Sequence, residues 1–426
     1  MSDARRVGKA TGAQELLRAL GTQPGGPQLT LIARDRDDLA LVGGAVRDLL
    51  LGGAPRELDV VVAEDAAGMA QELASILGAS VTLHGRFGTA IVEWEAGRID
   101  IAERRGESYR APGALPEVRP GSVAEDLARR DFTVNAIALP LGGPRRGELD
   151  SAEHALEDLV AGRLRVLHER SFVEDPTRLL RLARYQARLG FEPEARTAQL
   201  AVEALAAGAL ATVSRARIGA ELRLALGEAD AVAALAAISG LGVLAAIDPQ
   251  LSFDKELARR ALALLPQDGR PDLLLMASLL IGLARGEQSA ELEVFALLDS
   301  LEFTSAQRER VMLSALAAFS ALELLELAAK PSQLHRGLSA SPLEAVALAG
   351  ALAGQESRAS AAASEWLGSL RHVRLAITGD DLLAAGVAAG PQLGMRLQAA
   401  LERKLDGELD DGGPEAELEA ALEAAV

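Results

Sequence analysis

The stretch Leu41–Val62, LVGGAVRDLLLGGAPRELDVVV, decides the fold. An apolar run ends in Gly43-Gly44, helical patterning follows over Ala45 to Leu51, and Glu57 to Val62 then read as a strand. Glycines between a strand and a helix let backbone N–H groups come close to an anion, with phosphate the obvious one. Arg47, in the first helical turn, would add a two-pronged phosphate donor. Glu57 and Asp59 share one face of the second strand because side chains alternate, and lie roughly 7 Å apart. Two such carboxylates repel unless a cation joins them. Read singly, Gly-Gly is also a plain turn and the acidic pair a solvated strand face; side by side they point to a phosphate and a divalent cation. The chain has no Cys and only five His, so the ligands must be oxygens. For phosphoryl transfer that ion is Mg²⁺, with Glu57 and Asp59 as its ligands.

The surrounding chain is organised in two styles. Strand-like runs occur only early, as LALVGG, LDVVVA, SVTLH, TAIVEWE and RIDIAE, with a further helix over Asp65 to Leu77. From about Glu148 onward the sequence is rich in Ala and Leu with helical periodicity, broken at Pro266 to Pro271, at Lys330-Pro331 and at Ile377 to Asp381. We expect an α+β head followed by a long all-α body, and an acidic C-terminal stretch, DGELDDGGPEAELEAALEAAV, that reads as a frayed helix or a mobile tail. At 426 residues the chain exceeds one core. It has no apolar run of membrane-spanning length and no signal-peptide core, so the expectation is a soluble, cytoplasmic protein without membrane contact. No protein partner is predicted. The net charge of −17 argues against indiscriminate nucleic-acid binding, but it is uneven. Residues 1–200 carry 26 basic and 30 acidic side chains, the remainder 18 and 31, so a local basic patch fits best in the first half.

Further chemistry lies in three clusters. Asp100, in RIDIAE, can supply a third catalytic carboxylate beside Glu57 and Asp59, with Glu103 and Glu93 as stand-ins; its bland reading is a surface acid. In RRDFTVNAIA, Arg130 can contact a triphosphate, Asp131 and Asn135 can hydrogen-bond a ribose hydroxyl, and Arg129 reads as a structural ion-pair residue. In SFVEDPTRLLRLARYQARLGF a helix should start around Glu174 to Pro176. Arg178, Arg181 and Arg184 then form a drifting stripe, which in most helices is a solvated face. Glu174 and Asp175, at i,i+4 and i,i+3, can fix the Arg178 guanidinium. An Asp-Arg pair offers an acceptor beside donors, which matches the pairing edge of cytosine or adenine and mismatches uracil and guanine.

These clusters, in this order, resemble the class II tRNA nucleotidyltransferases (CCA-adding enzymes) and the bacterial poly(A) polymerases of the DNA polymerase β superfamily. The family pattern GGxVRDxLLG, DxD, RRDFTxNA and EDxxRxxRxxRF stands here as GGAVRDLLLG, ELD, RRDFTVNA and EDPTRLLRLARY. The likeness is dense over residues 39–191 and weaker beyond, apart from ITGDDLLAAGVAAGPQLGMRLQAALERKLDG near the C-terminus. It implies a polymerase β-like head (28–147) after an N-terminal extension (1–27), then an elongated all-α neck (148–215), body (216–330) and tail (331–426). The implied activity is template-independent addition of CMP and AMP from CTP and ATP to the tRNA 3′ end, by a two-metal mechanism with both Mg²⁺ ions on Glu57 and Asp59. Gly43, Gly44, Arg47, Arg130, Asp131, Asn135, Glu174, Asp175, Arg178, Arg181 and Arg184 would bind nucleotide. CC-only, A-only and poly(A) addition share the same head, and an inactive RNA-binding homologue is a further reading. One departure is Glu57, where the family usually has Asp, a residue one methylene shorter. No His precedes an Asp, so no phosphohydrolase dyad of the His-Asp type is expected.

Overall fold

The computed structural model describes residues 12–84, 88–285, 289–409 and 413–424. It divides into two compact units, Met1–Ser214 and Arg215–Val426.

The first unit is built on a mixed seven-stranded sheet. In chain order the elements are α1 (Ala13–Gly21), α2 (Gly26–Ile32), β1 (Ala40–Val42), α3 (Gly44–Leu50), β2 (Leu58–Val62), α4 (Ala66–Leu77), β3 (Ser80–His84), β4 (Thr89–Trp94) and β5 (Gly97–Glu103). A hairpin of β6 (Arg105–Ser108) and β7 (Glu117–Pro120) precedes α5 (Val123–Ala128), β8 (Ile137–Pro140) and the two-residue β9 (Asp150–Ser151). The sheet order is β3-β4-β5-β2-β1-β8-β9, and β2 with β5 is its parallel pair. Alternation sorts the two faces. Leu58, Val60, Val62, Ile99 and Ile101 are buried, and a Cβ added at Gly25 would meet Ile99 and Trp94, which puts the approach to α2 on that face. The other face presents Asp59, Val61, Arg98 and Asp100, with Val61 packed beside Ala40, Val42, Leu127, Ala136 and Ala138. One face is therefore core throughout, and the other is half core and half polar floor.

The unit closes with α6 (Ala155–Ala161), α7 (Ser171–Glu174), α8 (Arg178–Leu189) and α9 (Ala195–Ala206). The expected helix start near Glu174 is displaced to Arg178, because Asp175 precedes Pro176 and is driven to extended geometry, φ −133° and ψ 90°. Residues 13–32, in which no element was expected, form two helices that bury Leu16, Leu20 and Leu29. Residues 1–11 of the expected N-terminal extension lie outside the described residues.

Among its described residues the regular elements of the second unit are all helices. The expected breakers separate Lys255–Leu264 from Pro271–Leu279, Ser305–Leu327 from Pro331–Leu338, and Leu370–His372 from Gly379–Ala384. Leu343–Leu352 is buried along nearly all its length, which is why it can be Ala-rich without an obvious stripe. The C-terminal stretch corrects the expectation of a frayed end. Gly413–Glu423 is a packed helix whose Ala420 and Ala421 join Ile377, Leu382 and Ala400 in a small core. Its Glu417 is buried, accepting from the N–H groups of Ala376 and Ile377 and from Lys404. Residues 410–412 and 425–426 of that stretch lie outside the described residues. Among the described residues no helix is long and apolar enough to cross a membrane.

Glu344 is the unit's fully buried carboxylate: Oε1 accepts from the Arg270 N–H at 2.8 Å and Oε2 from Arg310 Nε at 2.7 Å. Glu344→Ala strands both donors and is expected to cost about 2 kcal/mol of stability. Denaturant unfolding followed by circular dichroism checks this; an unchanged midpoint would contradict it.

Candidate active site

The sheet register assembles the acidic floor. Asp59 on β2 lies directly opposite Asp100 on β5, and Glu57 precedes Asp59 by one pleat, just ahead of the strand. Asp59 is half-buried and Glu57 exposed. Burial, then the negative charges of Glu57 and Asp100, push the Asp59 carboxyl up to about 7 against the pull of Arg130 and Arg98. A cavity of about 330 Å³ opens here, lined among others by Asp59, Asp100, Arg105, Arg129 and Arg130. Of the stand-ins for Asp100, Glu93 lies across the strands from Arg98, and Glu103 is turned to the Ala66 N–H at the start of α4.

Among the described residues no three Asp, Glu or His side chains form a ready metal cage. Asp100 is instead gripped by Arg98 through Nε at 2.6 Å and Nη2 at 2.8 Å. The donor set still fits a hard divalent cation. It consists of carboxylate oxygens, one of them on a half-buried group whose charge its surroundings disfavour, and phosphate oxygens and water can fill the remaining positions.

Gly43 joins this floor to the loop after α5. Its φ of +69° demands glycine, and a Cβ there would come within 2.6 Å of Arg130 Nη1 and push that guanidinium aside. Its N–H donates to Ile137 O at 2.9 Å, which corrects its expected part as a phosphate donor; Gly44 remains at the first position of the seven-residue α3. Arg130 donates through Nη2 to Asp126 at 3.0 Å, and its buried Nε has no partner. Arg129 bridges Asp126 and Glu107, the structural role expected of it. Burial would raise Asp126, but Arg130 and Arg129 hold it below the usual carboxylate range.

Arg47, Asp131 and Asn135 differ most from expectation. Arg47 is 1% exposed, hydrogen-bonded to Asp48 at 2.6 and 2.8 Å and to Asn135 Oδ1, and its guanidinium lies 5.4 Å from the Tyr185 ring centre. It is a buried tie, not an open anion donor. Asn135 Nδ2 donates to Asp131 Oδ1 at 2.9 Å, which also receives the Phe132 N–H at 2.8 Å. Arg181 Nη2 sits 2.8 Å from Asp131 Oδ2. Asp131 and Asn135 therefore face each other inside the protein, and the expected ribose contact is replaced by an internal one. Burial would raise the Asp131 carboxyl, but Arg181, the Asn135 amide and Arg178 hold it low.

The arginine stripe of α8 also turns inward. Arg178 and Arg184 are buried, and Arg184 lies 5.0 Å from the Tyr185 ring centre, with Phe132 edge-on to Tyr185 at 5.9 Å. Arg178 donates to Ser171 Oγ at 2.6 Å and to the Arg129 carbonyl at 2.8 Å, so Ser171 and the backbone fix it. Glu174, expected to do so, instead meets Arg170 at 3.2 Å and His168 at 3.6 Å. Asp175 Oδ1 accepts from Thr177 N and Oγ1, at 3.1 and 2.6 Å. The sequence reading missed Asp48, Arg98, Asp126 and Tyr185. Only Asp126 carried a usable signal, its i,i+3 and i,i+4 spacing to Arg129 and Arg130.

A family model described as the poly A polymerase head domain matches residues 39–165. The A-adding tRNA nucleotidyltransferase of Halalkalibacterium halodurans is 38% identical over 287 residues, 66% of this chain and 65% of that protein. The CC-adding tRNA nucleotidyltransferase of Deinococcus radiodurans is 38% identical over 274 residues, 62% of this chain and 71% of its own length. The chain spans only 24% and 23% of two longer A-adding relatives. Among solved structures, a Thermotoga maritima CCA-adding enzyme complexed with tRNA is 25% identical with a TM-score of 0.76, over 96% of this chain and 98% of that one.

Because the Asp59 carboxyl is pushed up to about 7, a divalent cation held there would compete with a proton. Apparent Mg²⁺ affinity of the nucleotide-free protein, measured calorimetrically, should rise about tenfold per pH unit up to about 7 and then level off. By the same linkage, this group's contribution to metal-free stability is full below the ordinary carboxylate range and is lost as pH rises through about 7, since the folded state holds the proton more tightly than the unfolded. A Mg²⁺ affinity flat between pH 5.5 and 8 would contradict the assignment.

Proposed function

The chain belongs to the tRNA nucleotidyltransferase family, and from that premise we propose that it adds CMP and AMP, from CTP and ATP, to the 3′ end of tRNA. The observation that carries this reading is the pairing of Asp59 with Asp100 in register on the floor of a cavity walled by Arg129 and Arg130, with Glu57 one pleat ahead of Asp59. The tRNA 3′-hydroxyl attacks the α-phosphate, the bond to the β-phosphate oxygen breaks, and pyrophosphate leaves. Glu57 and Asp59 would hold two Mg²⁺, with Asp100 as third carboxylate; bound there, the ions would supply positive charge for the leaving pyrophosphate and lower the pKa of the attacking hydroxyl. Arg130, anchored by Asp126 and lying on Gly43, directs its guanidinium at the triphosphate. Arg47, Asp131, Asn135, Arg181 and Arg184 act behind it by fixing the walls. Asp175 and Arg178 select the base; both are buried, and Thr177, Ser171 and the Arg129 carbonyl hold them, so selection needs little reorganisation. The helices of residues 216–330 and 331–426 grip tRNA by shape, without reading much sequence.

A-only addition is the second reading, favoured by the A-adding relatives at 38–43% identity. The deciding assay supplies each labelled nucleoside triphosphate singly with three tRNAs: lacking the last three nucleotides, lacking only the last, and complete. CMP on the shortest and AMP on the intermediate tRNA supports full CCA addition. AMP on the intermediate alone identifies an A-adding enzyme, AMP chains on complete tRNA a poly(A) polymerase, and no incorporation overturns both readings. In the same assay Asp175→Ala should erode preference for CTP over UTP and ATP over GTP by about 1–3 kcal/mol in kcat/KM. An equal fall for all four nucleotides would show that Asp175 does not read the base.

A further inference from the structure

Arg98 occupies a position that the reaction scheme above leaves without a purpose. On β5 it lies opposite Glu93 of β4, and extending the parallel register of β2 by one residue puts Glu57 on its other side. Asp100 follows it on the same face. The guanidinium is thus ringed by three carboxylates: bonded to Asp100 at 2.6 and 2.8 Å, 3.8 Å from Glu57 and 3.8 Å from Glu93. Of these, Glu57 and Asp100 are the groups assigned to the metal site, and Glu93 is not. All four side chains are partly exposed, between 31% and 53%, so the arrangement can change without opening the core.

We propose that Arg98 is the internal counter-ion of the metal-free site, and that a divalent cation binds by displacing it from Asp100 and Glu57 toward Glu93. The inference rests on the metal-site reading above. Without a cation, Glu57, Asp59 and Asp100 crowd one polar face, and Arg98 is the basic side chain bonded within that face. Once a dication sits on those carboxylates, the same guanidinium is a like charge at short range and its bidentate hold on Asp100 costs affinity. Glu93 lies already within 3.8 Å on the outer side, away from the Asp59 pairing, and offers Arg98 a place to go. Arg98 is therefore a positioning residue: it touches neither nucleotide nor reacting atoms in this scheme, but sets when Asp100 becomes a ligand. This also explains why the three carboxylates are neighbours without forming a cage.

The test is Mn²⁺ titration of the full-length, nucleotide-free protein, followed by electron paramagnetic resonance. Arg98→Gln, Glu93→Gln and Asp59→Ala are compared with wild type, each checked for fold by circular dichroism. Arg98→Gln should bind Mn²⁺ about tenfold more tightly, since it removes the competitor. Glu93→Gln should bind several-fold more weakly, since the displaced arginine loses its acceptor. Asp59→Ala should lose the site. Unchanged or weaker binding in Arg98→Gln, with Asp59→Ala still deficient, overturns the counter-ion role and leaves the metal site standing. Wild-type binding in Asp59→Ala overturns the metal site itself. Should Arg98→Gln fail to fold, Glu93→Gln decides: weaker binding supports the proposal and unchanged binding overturns it.

Discussion

A buried carboxylate cannot stand alone, and Asp131 shows what the fold does about it. Taking such an ion out of water costs several kcal/mol unless partners replace the lost hydration. Asp131 has the Phe132 N–H, the Asn135 amide, and Arg181 reaching in from α8. Asn135 in turn holds Arg47 on α3, and Arg47 holds Asp48, which Arg188 on α8 also meets. The chain of partners closes a loop through three segments far apart in sequence: the Gly-Gly turn and its helix, the RRDFTVNA segment, and the helix carrying Arg178. None of the three can shift without leaving a charge unpaired.

That constraint gives the polar floor its rigidity. Gly43 is fixed from one side by Ile137 and from the other by the guanidinium of Arg130, and Arg178 is fastened to the carbonyl of Arg129, next in sequence. The acidic strands and the proposed base-reading residues are thereby held through one segment, Arg129–Asn135. Behind this scaffold the fold spends polar groups freely; in front of it, at Asp59, Asp100 and Glu57, it leaves charge incompletely balanced. A raised carboxyl at Asp59 and an arginine clamped to Asp100 on the same strand are two signs of the same imbalance. Groups that pay a cost in the resting protein are where a ligand's charge gains most.

Alternation and turn residues made the core of the head legible. β1 to β5 lie where period-two patterning and the flanking glycines put them, and the parallel pairing of β2 with β5 brings Asp59 and Asp100 together as neighbouring strands would. The direction of the arginines was not legible. A stripe at three- and four-residue spacing reads as solvated, and only partners distant in sequence turn such arginines inward, as Asn135 does for Arg47 from 88 residues on and Asp131 does for Arg181. The same holds for Asp131 and Asn135, whose polarity suggested a ligand while their partners proved internal. The helices at residues 13–32 were missed because each is short, and only packing against each other and against α3 and α4 makes them worth forming. At the C-terminus, acidic composition hid the packing of a helix whose buried Glu417 accepts from two backbone amides.

The closed loop through Asp131 is the claim on which the rest stands, and a double-mutant cycle measures it. Asn135→Ala and Arg181→Ala each remove one partner of the same buried carboxylate, and their effects on unfolding free energy are compared with that of the double variant. A shared network predicts a coupling of about 1–3 kcal/mol, because the second deletion acts on a network the first has already broken. Effects that add to within about 0.5 kcal/mol would contradict it, and would make the two contacts independent.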